Sequence, residues 1–291
     1  MNFKVLGKTL LSSLKGFASD RLFQMAAALS YYTLLSLAPL FLVITRMVSL
    51  MLDDNNSREL VIKQMETLVG TTGADLLRSL SSTVPSTHEN ITSMSIGIVL
   101  TLVGATTVFA NLQRVLNHIW HVEPAGKNAV FSYLRARLIA LAVVLGLGFL
   151  LLVSFVLSAA ISGVTHYLGG GIFGLGLLLH TADLLFSIAF ITTLLALLFR
   201  FVPDAKIHWS DAWSGAFITA LLFTLGKHLI GLYLGRENVG SAYGAAGSVV
   251  AFMVWVYYAS LILFLGAELT KAIGSSRGRT LEPKAHARQS G

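Results

Sequence analysis

Cysteine is absent from the 291 residues, which excludes disulfides, thiolate zinc sites, iron–sulfur clusters and cysteine nucleophiles together. Charge is the second scarcity. Only 12% of the residues are charged, against about a quarter in a soluble domain, and that deficit excludes an ordinary cytosolic enzyme. In their place stand apolar residues, 55% of the chain, with a mean hydropathy of +0.73. They are gathered into blocks: residues 22–45, 91–113, 138–182 and 238–267 contain no Asp, Glu, Lys or Arg for 24, 23, 45 and 30 residues. A bilayer core takes about 20 apolar helical residues, so the chain reads as a polytopic membrane protein.

Six spans fit the pattern: 22–52, 91–113, 138–163, 175–199, 212–234 and 244–270. The uncharged run of 45 residues is too long for one crossing, and the glycines of 167–176 suit a tight connection between two helices. The expected fold is therefore an all-α, six-span transmembrane bundle occupying residues 21–270. Of the 21 Lys and Arg residues, all but Arg46, Arg58, Lys63, Arg78, Lys227 and Arg236 fall on the side that holds both termini, which makes that side cytoplasmic. The first 21 residues carry no cleavage site of the secretory type.

Residues 1–20 form an element of their own. At helical pitch Lys4, Lys8 and Lys15 share one face, with Leu6, Leu10, Leu14 and Phe17 opposite. This predicts an interfacial amphipathic helix whose lysines meet anionic headgroups at the inner membrane surface. Residues 53–90 make an outer loop in which apolar positions recur at helical spacing on both sides of Gly70 and Gly73, predicting two short helices. Residues 271–291 read as a disordered basic tail.

Four strings resemble the YihY/BrkB family of bacterial inner-membrane proteins, formerly called ribonuclease BN-like. They are ALSYYTLLSLAPL at 28–40, LNHIWHV at 116–122, FRFVPDAKIHWSD at 199–211, and YGAAGSVVAFMVWVYYASLILFLGAEL at 243–269. The resemblance implies a six-span inner-membrane protein for which transport or export is the expected role. The family's old name does not decide the chemistry.

Ionisable residues inside spans are functional candidates by default. Asp183 lies about 12 Å from the outer end of the fourth span, with His180 nearer the surface, and Lys227 and His228 lie about 10 Å from the outer end of the fifth. Arg46 stands at a similar level on the first span. These residues are expected to form a polar substrate or ion pathway, set against the plainer reading of an ion pair that locks two helices. Glu268, in the Gly-Ala-Glu string, is the pathway candidate for a second site on the cytoplasmic side; it precedes Lys271 by three residues, and the plainer reading is an i,i+3 pair anchoring the inner helix end. Pro39 should bend the first span and offers a hinge. Gly97 with Gly104, and Gly240 with Gly244, suit close helix packing.

Other motif matches carry little. GGGIFG at 169–174 has no strand before it, GSSRG at 274–278 lies in a polar tail, and no Walker sequence occurs. His118 and His121 stand at i,i+3 with Glu123 beyond, a spacing that could seed a metal site, but Trp120 between them argues for an interfacial helix end. The acids assigned to the cytoplasmic side, Asp20, Glu123, Asp204, Asp211, Glu268 and Glu282, are far apart in sequence, which disfavours a metal-dependent nuclease. The expectation is a transporter or exporter of a small or amphiphilic envelope solute, without catalytic residues, metal, cofactor or nucleic-acid partner. Membrane lipids are the expected partners, and a homo-oligomer is left open. The alternative is a noncatalytic organiser of the envelope.

Overall fold

A computed structural model describes residues 13, 15–49, 54–69, 71–83, 107–125, 175–234, 243, 246–280, 282–284 and 287–289. The described chain is mostly helical: α1 (Leu22–Ser49), α2 (Asp54–Val69), α3 (Thr71–Thr83), α4 (107–119), α5 (Leu175–Phe201), α6 (Trp209–Leu234) and α7 (Gly247–Ser276). Four very short strands accompany them: β1 (Val122–Pro124), β2 (Ala205–Lys206), β3 (Glu282–Pro283) and β4 (Ala287–Gln289).

Helices α1, α5, α6 and α7 occupy four of the expected spans, and α4 covers the end of a fifth. The expected span 138–163 and the glycine-rich connection after it, up to residue 174, lie outside the described residues, and Leu175 and Gly176 already belong to α5. Among the described residues one helix, Gly247–Ser276, is long and apolar enough to cross a membrane, with a mean hydropathy of 2.2. Helices α1 and α5 contain shorter apolar stretches at Leu22–Ala38 and Leu185–Phe201.

The side chains of α6 are distributed opposite to those of a soluble helix. Its exposed ridge runs Trp209, Trp213, Phe217, Leu221, Leu225 and Leu229 at successive i,i+4 steps, each 43% exposed or more. Its buried positions are small: Ala212, Gly215, Ala216, Thr219, Ala220 and Gly226. Twenty residues of such a ridge extend about 30 Å, the thickness of a hydrocarbon core. Water would penalise this arrangement, whereas lipid solvates the large side chains and leaves the small ones to bring helices together.

Two compact units divide the chain. The first holds residues 1–14, 116–224 and 265–291, and the second holds 15–115 and 225–264. In the second unit, residues 15–19 are helical, Lys15 is exposed, and Phe17 is buried edge-on against Phe23 at 5.1 Å between ring centres. Residues 1–12, which carry most of the expected amphipathic helix, lie outside the described residues. Helix α1 is unbroken through Pro39, whose side chain lies outside the described residues. One turn before it Ser36 Oγ donates to Thr33 O at 3.0 Å. On the same helix Tyr31 is exposed and Tyr32 half-buried, their rings 5.8 Å apart.

Helices α2 and α3 fall on either side of residue 70. Val61, Ala74, Leu76 and Leu77 are buried, while Arg78 bridges Asp75 at 2.8 Å and Glu66 at 3.3 Å. Arg58 donates to the carbonyl of Ser81 at 3.4 Å, so the two helices are tied by polar bonds as well as by their apolar faces.

In the first unit, α6 and α7 meet through a reciprocal pairing of glycine and threonine. A side chain on Gly215 would collide with Thr270, coming within 3.0 Å of its Cα, and one on Gly266 would collide with Thr219, within 2.8 Å of its Cβ. Each threonine hydroxyl is spent on its own helix: Thr219 donates to Gly215 O at 2.7 Å and Thr270 to Gly266 O at 2.8 Å. The contact therefore buries no orphaned hydroxyl while the backbones approach closely. The glycines the sequence singled out for such packing, Gly97, Gly104, Gly240 and Gly244, lie outside the described residues.

Candidate functional site at the polar ends of the helices

The polar ends of α4, α5, α6 and α7 in the first unit hold a cluster of charged and hydrogen-bonded side chains. Its centre is Asp211, in the first turn of α6. The carbonyl of His208 accepts from the amides of Asp211 and Ala212, both at 3.0 Å, so the helix begins three residues earlier than the expected span. A carboxylate in a first turn faces the positive end of the helix dipole.

Opposite it, α7 ends in a left-handed turn. Gly278 has φ +70, its amide donates to Ser275 O at 3.0 Å, and the amide of Arg279 donates to Gly274 O at 3.1 Å. These two bonds are the Schellman pattern that terminates helices at glycine. The reversal sets Arg279 beside Arg277. Arg277 Nη1 donates to Asp211 Oδ1 at 2.5 Å, and Arg279 Nη1 donates to Asp211 Oδ2 at 2.6 Å. The arginines complement the negative end of α7 as the aspartate complements the start of α6. Asp211 is only 4% exposed in its side chain, its arginines about a third, so these charge-assisted bonds are shielded on one side only. The string GSSRG is thus a helix cap.

The short link between α5 and α6 is pinned by Asp204. Asn117, at the end of α4, donates Nδ2 to Asp204 Oδ2 at 2.8 Å, and accepts at Oδ1 from the Asp204 amide at 2.7 Å. All three groups are buried. Trp120, 1% exposed, packs near Phe199 with ring centres 6.3 Å apart. LNHIWHV and FRFVPDAKIHWSD, far apart in sequence, thus meet through one amide and one carboxylate.

The expected disordered tail is corrected. Helix α7 continues to Ser276, and the residues after it return as strands: β4 pairs antiparallel with β1, placing Glu123 opposite Arg288, and β3 pairs with β2, placing Lys206 opposite Glu282. The Lys284 amide donates to Asp204 O at 2.8 Å, and its ammonium donates to Pro203 O at 2.7 Å and Phe201 O at 3.2 Å. Charge alone suggested a solvated tail, yet strand pairing and carbonyl acceptors hold it.

Of the residues expected to form a pathway, Glu268 is the one whose side chain is described. It is 3% exposed, and Lys271 Nζ lies 3.6 Å from its Oε1 and 3.3 Å from His121 Nε2. The i,i+3 pair is present, with the carboxylate buried. Asp183 and His180 lie on α5, Lys227 and His228 on α6, and Arg46 on α1; their side chains lie outside the described residues. Asp204, Asp211, Glu123, Glu282 and Glu268 gather in one unit, each engaged by a basic or amide partner. Among the described residues no group of three His, Asp or Glu side chains could hold a metal ion.

Apolar residues on an exposed helical ridge, small residues at the helix contact and a cluster of charges at the polar helix ends define a helical membrane protein. The chain matches the family described as virulence factor BrkB over residues 13–290, and it belongs to that family. It is 31% identical over 264 residues to a UPF0761 membrane protein of Alcanivorax borkumensis, covering 88% of this chain and 58% of the relative. Identity to the UPF0761 membrane protein of Aeromonas salmonicida is 28% over 260 residues, 89% of this chain and 86% of the relative. A Chlorobium limicola relative of the same name is 31% identical over 278 residues, 93% of this chain but 59% of its own length. The chain therefore spans less than two thirds of some relatives. No solved structure matches it.

Proposed function

We propose that this BrkB-family protein is a six-span inner-membrane transporter or exporter of a small or amphiphilic envelope solute. In this reading it is not an enzyme, has no ATPase of its own, and keeps both termini in the cytoplasm. The observation that carries the proposal is the buried Asp211 held between Arg277 and Arg279. Alternating access needs one end of the protein shut by bonds that can be exchanged, and a carboxylate shared by two arginines at facing helix ends meets that need.

Asp183 lies 18 residues before the end of α5, and Lys227 lies 18 residues after the start of α6, so each stands about 27 Å along its helix from the polar end. In this reading the ionisable groups stand toward the outward side. Pro39 on α1 supplies the proposed hinge.

The absence of native cysteine makes the test direct. Single thiols from Ala182→Cys and His228→Cys, flanking Asp183 and Lys227, should react with a membrane-impermeant maleimide applied outside intact cells. Lys227→Ala should abolish activity at normal abundance. Uniform protection of both thiols, with function retained in Lys227→Ala, would replace the transporter with the envelope organiser. That alternative draws on the exposed apolar ridge of α6, a surface suited to lipid or a partner helix.

A further inference from the structure

Between the end of α5 and the start of α6 the chain folds around an open cleft of about 390 Å³, lined by Arg200, Phe201, Lys206, His208, Trp209 and Lys284. Three of these six side chains are cationic and no carboxylate lines the cleft. Arg200 lies over the Trp209 ring, 5.6 Å from its centre, and Phe201 meets the same ring edge-on at 5.8 Å. The indole face attracts the guanidinium, and a guanidinium is a donor suited to a bidentate acceptor.

Lys284 is oriented by the carbonyls of Phe201 and Pro203, which accept from its ammonium at 3.2 and 2.7 Å and hold it at the wall of the cleft. Lys206 bonds Glu282 at 3.2 Å, with both side chains more than half exposed at 58% and 63%. Such a pair contributes little and yields readily to a competing anion.

The position of the cleft narrows the chemistry. Phe201 and Trp209 are 51% and 43% exposed. The apolar stretch Leu185–Phe201 ends here, and the exposed ridge of α6 starts here at Trp209. A ligand seated in it would have an anionic group among the cations and an apolar part continuing along the helices. Fork-shaped and point cations around one volume suit phosphate oxygens, and aromatic residues at an apolar boundary mark the level of lipid headgroups.

We propose that this cleft binds a phosphate ester anion, presented by the headgroup of an anionic phospholipid. The site stands whether or not a solute crosses the membrane, so it does not depend on the transporter reading.

The test uses the full chain in neutral detergent, titrated by native mass spectrometry with short-chain phosphatidylglycerol, phosphatidylcholine of the same chain length, and sn-glycerol 3-phosphate. The wild type should prefer phosphatidylglycerol to phosphatidylcholine. Arg200→Gln combined with Lys206→Gln should weaken phosphatidylglycerol binding by about tenfold or more, whereas Arg200→Lys with Lys206→Arg should stay within about threefold. If the glutamine substitutions weaken glycerol phosphate binding and leave phosphatidylglycerol unchanged, the phosphate site stands and the lipid source is overturned. Equal affinity of wild type and glutamine variant for both probes overturns the site. Should the double variant aggregate, Lys206→Gln alone decides, because its exposed side chain supports no packing: unchanged affinity for both probes overturns the proposal.

Discussion

Asp211 and Lys206 each form an ion pair in the same unit, and their burial separates them. The carboxylate of Asp211 is almost fully buried and receives two guanidinium bonds, so Asp211→Asn should lower stability by about 2 kcal/mol, below the range for a fully buried pair because the arginines remain partly wet. Lys206→Gln, which removes an exposed pair, should cost between about 0 and 1 kcal/mol. Thermal unfolding in detergent would check the order, and equal shifts would refute the ranking. Gly278 tests backbone rather than charge. Nothing lies within 4 Å of where its Cβ would be, while its φ is +70, so Gly278→Val should destabilise by about 1–2 kcal/mol and Gly278→Asn by less. The charges in this cluster were visible as letters. Their partnership was not, because Asp211 meets arginines 66 and 68 positions away, and only the turn at Gly278 aims Arg279 back.

Helices α1, α5, α6 and α7 could be read from the chain because lipid demands long apolar blocks, and each lies within a few residues of its expected span. The error lay at the ends. The last helix runs on to Ser276 through a polar stretch, since a helix continues until a residue such as Gly278 offers a better exit. The Gly–Thr exchange between α6 and α7 was likewise hidden, as both helices contain several small residues and only the register selects Gly215, Thr219, Gly266 and Thr270. Gly266→Ala should destabilise by about 1–3 kcal/mol through overpacking. Adding Thr219→Ala should recover part of the loss by removing the hydroxyl and methyl that obstruct the new side chain. Additive losses in the double variant, measured by thermal unfolding, would show that the two positions do not share a contact.

For the whole molecule, the distribution of Lys and Arg predicts which side each segment occupies. In the proposed arrangement, a green fluorescent protein fused after Gly291 should fluoresce and alkaline phosphatase fused there should be inactive, whereas phosphatase inserted at Gly70 should be active. The reverse pattern would invert the orientation and with it the proposed outward pathway through Asp183 and Lys227. Those two residues stand out in the sequence because charge in a span is costly. The cation and aromatic cleft went unread because its members, spread from Arg200 to Lys284, lie on a helix end, a link, a second helix and a returning tail.

The sequence alone determined the solvent of this protein and the approximate extent of its helices, because the cost of placing charge in hydrocarbon is paid residue by residue and leaves its mark in one dimension. Only the tertiary structure decided which acids meet which bases, that the basic tail folds back as strands, and that three cations share one cleft. Those outcomes depend on register and on where each helix stops, and neighbours in space need not be neighbours in the chain.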